Sequence, residues 1–265
     1  MQFGAMNFPV TPVLEEIETF AGLGFDYLEL AMDPPLAHFS ILESIREKIV
    51  DALSAASMGL VCHLPTFLST ADLTESIRRA SVGEMHRSLK TAAVLGAEKV
   101  VLHPSMAVGM GGFVLETVKR HVMDFLAGMV ASADALGLTL CLENMFPRNR
   151  IGVEVDDFEV LFEAFPALKM TLDTGHANIE DRRGKRLKAL VERFAPRIAH
   201  LHISDNQGRL DDHLAVGQGT VDFIGLAQRL DAIGYAGTVT FEIFDADRTL
   251  LVQSRDRFQA LFKGR

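Results

Sequence analysis

Glu143, Asp173, His202 and Glu242 are the residues whose types and placement can do chemistry: each closes a short apolar, strand-like run, in LCLEN, MTLDTGH, LHISDN and FEIF. Three carboxylates and one imidazole suit a divalent cation such as Mn2+, Mg2+ or Co2+, and accept Zn2+ where the pocket shape permits. Two further runs end in the same manner, CHLP at His63 and VVLHPS at His103. Taken singly, a glutamate at a strand end is more often an ion-paired surface group, and a buried histidine more often a satisfied core residue. Six strand-like runs ending in ligand-type side chains are a joint signal, and it favours one metal site.

A second set surrounds the first. His176 follows Asp173 in the D-T-G-H turn, and Asp211-Asp212-His213 contains a D-x-H pair that can chelate an ion from a tight loop. Loop acids of this kind also build turns, so this set reads either as ligands or as loop structure. A single ion is expected for the first four residues, and recruitment of all nine gives room for up to three.

The elements that position these residues alternate along the whole chain. Strands are predicted near 2–7, 26–31, 59–63, 99–103, 138–143, 169–173, 198–203 and 238–243. Helices are predicted near 13–22, 40–57, 74–95, 113–136, 156–164, 185–194, 222–233 and 248–262. Pro12 starts the first helix, and Gly59, Gly96, Gly137 and Gly234 return the chain to a strand after four of the helices. Repeated βα units imply a parallel sheet, open or closed. In an open sheet only the strand ends at one crevice meet, so six contributing strands require closure. The prediction is a (β/α)8 barrel occupying 1–265 as one domain, with the ligands on the rim at the carboxyl ends of the strands.

Composition agrees with this reading. The chain has 265 residues, is 48% hydrophobic and carries a formal net charge of -9, which disfavours non-specific binding to a polyanion. Cys62 and Cys141, both within apolar runs, make neither a disulfide framework nor a thiolate zinc site, and a cytoplasmic setting is expected. No apolar stretch is long enough to span a bilayer, and no membrane association is expected. Arg182-Arg183-Gly184-Lys185-Arg186, together with Arg148 and Arg150, offers cations to a phosphate, set against the plainer reading of solvated loops. Gly217-Gln218-Gly219 lacks the spacing of a dinucleotide fingerprint and is expected to shape the loop holding His213. Glu29, at the end of the second strand, and Asn7, at the first, either touch substrate or satisfy rim hydrogen bonds.

CHLP, VVLHPS, LENM, LDTGHAN, HLHISDN, DDH-x3-GQG-x2-DF and FEIF together resemble the xylose-isomerase-like TIM-barrel superfamily, over nearly the whole chain. That family includes sugar isomerases, sugar-phosphate and keto-sugar epimerases, and AP endonucleases of the endonuclease IV type. In the epimerase branch the resemblance implies that Glu143, Asp173, His202 and Glu242 hold one catalytic ion. Glu143 and Glu242 would also be the catalytic proton-transfer groups, and His176 would orient a substrate oxygen or carry a proton. In the endonuclease branch it implies three zinc ions, held by His63, His103 and Glu143; by Glu143, Asp173, His202 and Glu242; and by His176, Asp211 and His213. The nuclease branch places an aromatic and an aliphatic wedge after the first strand-end histidine. Phe67-Leu68 here departs from that offset by one, and the chain has no Trp and two Tyr.

The expected activity is therefore isomerisation or epimerisation of a sugar, keto-sugar or sugar phosphate through a metal-stabilised ene-diolate. The alternative is a zinc phosphodiesterase acting on abasic DNA, with a sugar or metal sensor third. The expected partner is a small sugar or sugar phosphate, with DNA ranked below it, and family resemblance suggests a homo-oligomer.

Overall fold

Eight parallel strands close into a barrel in sequence order: β1 (Gln2–Met6), β2 (Tyr27–Ala31), β3 (Gly59–His63), β4 (Lys99–Leu102), β5 (Thr139–Glu143), β6 (Lys169–Asp173), β7 (Ile198–Ile203) and β8 (Thr238–Phe241). The structure is a computed structural model that describes residues 1–181 and 183–262. Closure is made by β1 pairing with β8, Phe3 opposite Val239 and Ala5 opposite Phe241. The predicted closed barrel is thus present, and each strand matches its predicted range to within two residues.

The helices α1 (Val13–Gly22), α2 (Phe39–Ser44), α3 (Arg46–Ala55), α4 (Glu75–Val94), α5 (Leu115–Leu136), α6 (Val155–Ala164), α7 (Thr174–Asn178), α8 (Lys185–Phe194), α9 (Phe223–Ala232) and α10 (Thr249–Ala260) fill the connections. Two differ from expectation. The helix predicted over 40–57 is broken at Ile45, whose φ of -117° and ψ of 15° leave the helical region. The D-T-G-H segment is the short helix α7 rather than a bare turn, because Asp173 caps it. Gly59 does not terminate α3: the left-handed residue after that helix is Ser57, with φ 53°, and Gly59 opens β3.

Alternation along the strands sorts side chains into two environments. Leu28, Leu30, Leu60, Val100, Leu102, Leu142, Leu172, Leu201, Val239 and Phe241 belong to the main core shared with the helices. The opposite faces fill the lumen, where Val61 and Val101 pack with Tyr27 and polar residues take much of the place of the usual layers of branched aliphatic side chains. Tyr27 occupies the space beside Gly4, where a Cβ would lie 2.3 Å from the ring, and its hydroxyl is 2.8 Å from Thr240 Oγ1. Lys99 Nζ donates to Thr238 Oγ1 at 3.0 Å and to Ala199 O at 3.1 Å. Glu29 reaches from β2 to His200 and His202 on β7, a strand that does not adjoin it, so these hydrogen bonds cross the barrel interior. Among the described residues, no helix is long and apolar enough to cross a membrane.

Candidate metal centre

At the carboxyl rim, four histidines share one construction: one ring nitrogen is anchored on an oxygen and the other is turned toward an acid. His63 Nδ1 donates to Leu64 O at 2.7 Å, His176 Nδ1 to Asn144 O at 2.9 Å, and His213 Nδ1 to Glu242 O at 3.1 Å. Each presents Nε2 to a carboxylate, Glu143 Oε2 at 3.2 Å for His63, and Asp211 Oδ2 at 3.1 and 3.2 Å for His176 and His213. His202 is inverted, with Nε2 on Glu29 Oε1 at 3.0 Å and Nδ1 facing the rim. An imidazole whose distal N–H is held by an oxygen keeps a fixed tautomer and offers its other lone pair to a cation.

Around His202 Nδ1 stand Glu242 Oε1 at 2.9 Å, Glu143 Oε1 at 3.3 Å and Asp173 Oδ2 at 3.8 Å. Even so, His202 Nδ1 and Asp173 Oδ2 are buried without a hydrogen-bond partner, as is Asp211 Oδ1. Donor atoms that crowd without hydrogen-bond geometry are what a shared ion requires, since two ligands at about 2.0–2.2 Å from one cation lie roughly 3.0–3.5 Å apart. The residues therefore fit a divalent ion. His103 Nε2 is 3.2 Å from Glu143 Oε2, so His63, His103 and Glu143 form a neighbouring group of donors.

Local sequence explains the positioning. Asp173 Oδ1 caps α7 by accepting from His176 N at 2.5 Å, which fixes Asp173 and His176 together and leaves Oδ2 for the site. Gly175 is needed between them, because a Cβ there would lie 2.4 Å from Ser204 Oγ. Asn144, not singled out by the sequence reading, clamps β5 to β6 through Asp173 N at 2.8 Å and Asp173 O at 2.9 Å. Asp205 was also missed. Its carboxylate accepts the backbone N–H groups of Asn206, Gly217, Gly219 and Val221, while its own N–H and C=O pair with Leu214 beside His213. The Gly217-Gln218-Gly219 segment thus shapes the loop of His213, as expected.

Electrostatics reflects the crowding. Burial alone would raise Glu143, yet His202 and His103 hold it well below the usual carboxylate range. Burial pushes Asp173 up to about 7; His176 opposes the rise, and Glu143 and Glu242 add to it. Burial alone would depress His63 and His213, but Glu143 raises the first to about 9 and Asp211 raises the second to about 9. Protons on histidine balance the acids here, and a cation could take their place.

Beyond the donors, a cavity of about 770 Å³ opens to the rim, lined by His63, His103, Glu143, His176, Asp211, His213 and Glu242 along with loop residues. Asp173 and His202 are fully buried behind the lining residues Glu143 and Glu242. Residues 17–261 match the family of xylose isomerase-like TIM barrels. The chain belongs to that family. A solved D-tagatose 3-epimerase-like protein superposes with a TM-score of 0.85 at 25% identity, covering 99% of this chain and 97% of that one. The L-ribulose 3-epimerase of Mesorhizobium japonicum is 28% identical over 232 residues, 84% of this chain and 73% of the relative. A probable endonuclease 4 of Mycoplasma pneumoniae is 22% identical over 219 residues, 77% of this chain and 73% of the relative.

The remaining sequence candidates sit elsewhere. Asn7 is fully buried and accepts from Ala31 N at 2.6 Å, a rim hydrogen bond. Glu29 lies mid-strand within the lumen and does not line the cavity. Arg182 lies outside the described residues. Arg186 bonds Glu154 at 2.8 Å and the carbonyls of Ala177 and Ile179, and Arg150 bonds Gly112 O at 2.9 Å. Neither these two nor Arg148, Arg183 and Lys185 line the cavity, so the phosphate handles among the described residues do not meet the donors.

Proposed function

We propose that this chain is a divalent-metal-dependent epimerase or isomerase of a keto-sugar, moving a proton at the carbon next to a carbonyl. The observation that carries this reading is the approach of two carboxylates, Glu143 on β5 and Glu242 after β8, to the same atom, His202 Nδ1, at 3.3 and 2.9 Å within one cavity. A cation held by Glu143, Asp173, His202 and Glu242 would supply Lewis acidity toward a carbonyl and the negative charge of an ene-diolate.

The protein's own groups divide the proton work unequally. Glu143 is engaged on both oxygens, by His63 and His103 at Oε2 and by His176 and His202 at Oε1. Glu242 Oε2 is freer, with His213 Nδ1 no closer than 3.7 Å. Glu242 is therefore assigned the first proton abstraction, and Glu143, ionised itself but supplied with a proton by His63 at 3.2 Å, the return of a proton, to the opposite face for an epimer or to the adjacent carbon for an aldose–ketose isomer, with the proton left on Glu242 passing to solvent. His176, fixed by Asn144, orients a substrate oxygen or carries a proton. Solvent deuterium incorporation beside the carbonyl of D-fructose or D-psicose by Mn2+- or Co2+-reconstituted protein tests this. Failure across a panel of ketoses under those conditions would remove the reading.

One observation favours a second reading. The donors fall into three adjoining groups, His63–His103–Glu143, Glu143–Asp173–His202–Glu242 and His176–Asp211–His213, which suits up to three ions and a zinc phosphodiesterase acting on abasic DNA. Against it, no Lys or Arg among the described residues lines the cavity. Cleavage of an abasic-site duplex, abolished by His213→Ala and accompanied by about three Zn per chain in elemental analysis, would reverse the ranking.

A further inference from the structure

Resting on the epimerase reading, we infer that the substrate is an uncharged keto-sugar carrying an apolar ring substituent at the end remote from its carbonyl, and not a sugar phosphate. Three features of the cavity carry this. Among the described residues, its carboxylates are Asp33, Glu143, Asp211 and Glu242, its only cationic groups are histidines already paired with acids at the centre, and no Lys or Arg lines it, so a phosphate remote from the centre would find no free cation.

The second feature is an aromatic path leading away from the donors. Phe244 packs edge-on to His213, with ring centroids 4.8 Å apart, and Phe8 stands 5.6 Å beyond Phe244. Phe146, also in the lining, packs edge-on to His176 at 5.2 Å. Aromatic rings thus pack on two histidines of the centre, and from His213 they continue through Phe244 to Phe8. The mouth itself ends in Phe8, Val10 and Phe67, which are 42%, 54% and 88% exposed. Large apolar side chains left in water around a concave site mark a surface that a ligand covers.

Size is the third. A volume of about 770 Å³ lies in the range that encloses a drug-sized ligand, well beyond a free ketose. A fully hydroxylated sugar satisfies the acids and histidines at the centre but has little apolar surface for Phe8 and Phe67. A ring substituent fills that remainder, its faces against the aromatic rings.

Three ketoses that differ only at one oxygen test this with the metal-reconstituted full chain: D-fructose, D-fructose 6-phosphate and 6-O-benzyl-D-fructose, each followed by solvent deuterium exchange beside the carbonyl. The expected order in kcat/KM is benzyl ether above D-fructose by about tenfold, the scale of one newly buried aromatic ring, with the phosphate below both. Phe8→Ala is expected to remove most of the benzyl advantage. Exchange of D-fructose at a rate equal to the benzyl ether, or preference for the phosphate, overturns this inference and leaves the epimerase reading standing. Absence of exchange with all three overturns both. Conversion of a dimer to a monomer by Phe67→Glu, with the three rates unchanged, would assign the apolar mouth to a second copy of the chain and also overturn it.

Discussion

Glu29 Oε1 stands 3.0 Å from Nε2 of His202, while its Oε2 stands 2.8 Å from Nε2 of His200. Both imidazoles and the carboxylate are fully buried in the barrel lumen. Burial alone would raise Glu29, but His202 and His200 hold it well below the usual carboxylate range. The carboxylate therefore accepts an N–H from His202 and makes its Nδ1 the nitrogen that faces the site. An outer carboxylate of this kind raises the basicity of a ligand imidazole and fixes its ring plane.

Glu29→Gln retains the shape and loses the charge. Metal affinity measured by titration calorimetry is expected to fall by about 10- to 100-fold, the usual size for a lost outer-sphere partner. Glu29→Asp, which restores the charge at a shorter reach, is expected to recover part of that loss. Equal affinities in all three proteins would show that the contact has no bearing on His202 as a ligand.

Glu143→Gln and Glu242→Gln separate holding from proton transfer. Each is expected to lower turnover by on the order of 10² or more. Glu143 faces two donor groups, so its variant should also lose bound metal, whereas Glu242→Gln should retain more of it. Metal content and deuterium exchange, measured on the same preparations, check the distinction. Near-wild-type turnover by both variants on a confirmed substrate would take them out of the mechanism.

Much of this was legible in the chain because periodicity and punctuation agree. An acid or imidazole at the end of an apolar run is conspicuous, and six such runs gave His63, His103, Glu143, Asp173, His202 and Glu242. Glu29 was seen but placed at the strand end; in YLELA it is the middle residue, and only the cross-barrel geometry reveals its partners on β7. Asp205 was invisible for a different reason. Its four backbone donors lie up to sixteen residues downstream, and no local motif encodes that reach. The break at Ile45 carries no glycine or proline signal, so a continuous helix was the natural reading of 40–57.

Asp205→Ala should act through the loop it organises. Removing the acceptor of four backbone N–H groups at a residue only 1% exposed is expected to cost on the order of 3 kcal/mol in urea unfolding. The loop pairing of Leu214 keeps His213 and Asp211 in place, so the variant should also lose the metal that depends on them. A normal metal content with lowered stability would limit Asp205 to folding alone.

Chelation should destabilise the whole barrel. A ligand present at a hundredfold excess over its Kd stabilises by about 2.7 kcal/mol, which for a domain near this size corresponds to roughly 5–10 °C in Tm. Thermal unfolding before and after EDTA, with recovery on adding back Mn2+ or Zn2+, measures it. An unchanged Tm would mean that the donors do not hold an ion with useful affinity.

Metal uptake should also be tied to pH, with a defined sign. In the metal-free protein His63 and His213 each titrate at about 9, because Glu143 and Asp211 stabilise the imidazolium against the opposing effect of burial. A cation binds only the neutral ring, so each such ligand releases a proton when it binds, and affinity rises as pH climbs toward 9. The same protons bear on folding: a histidine raised above its unfolded value of about 6.5 stabilises the metal-free fold fully below that value and ceases to do so as pH passes through 9. Asp173, raised by burial to about 7, gives a loss of the same sign at lower pH, between the unfolded carboxylate range and about 7. Metal-free protein should therefore lose Tm between pH 6.5 and 9, while the metal-loaded form, with the acids balanced by the cation, should lose less. Calorimetry in buffers of differing ionisation enthalpy counts the protons released; zero release at pH 7 would mean that neither His63 nor His213 is a ligand.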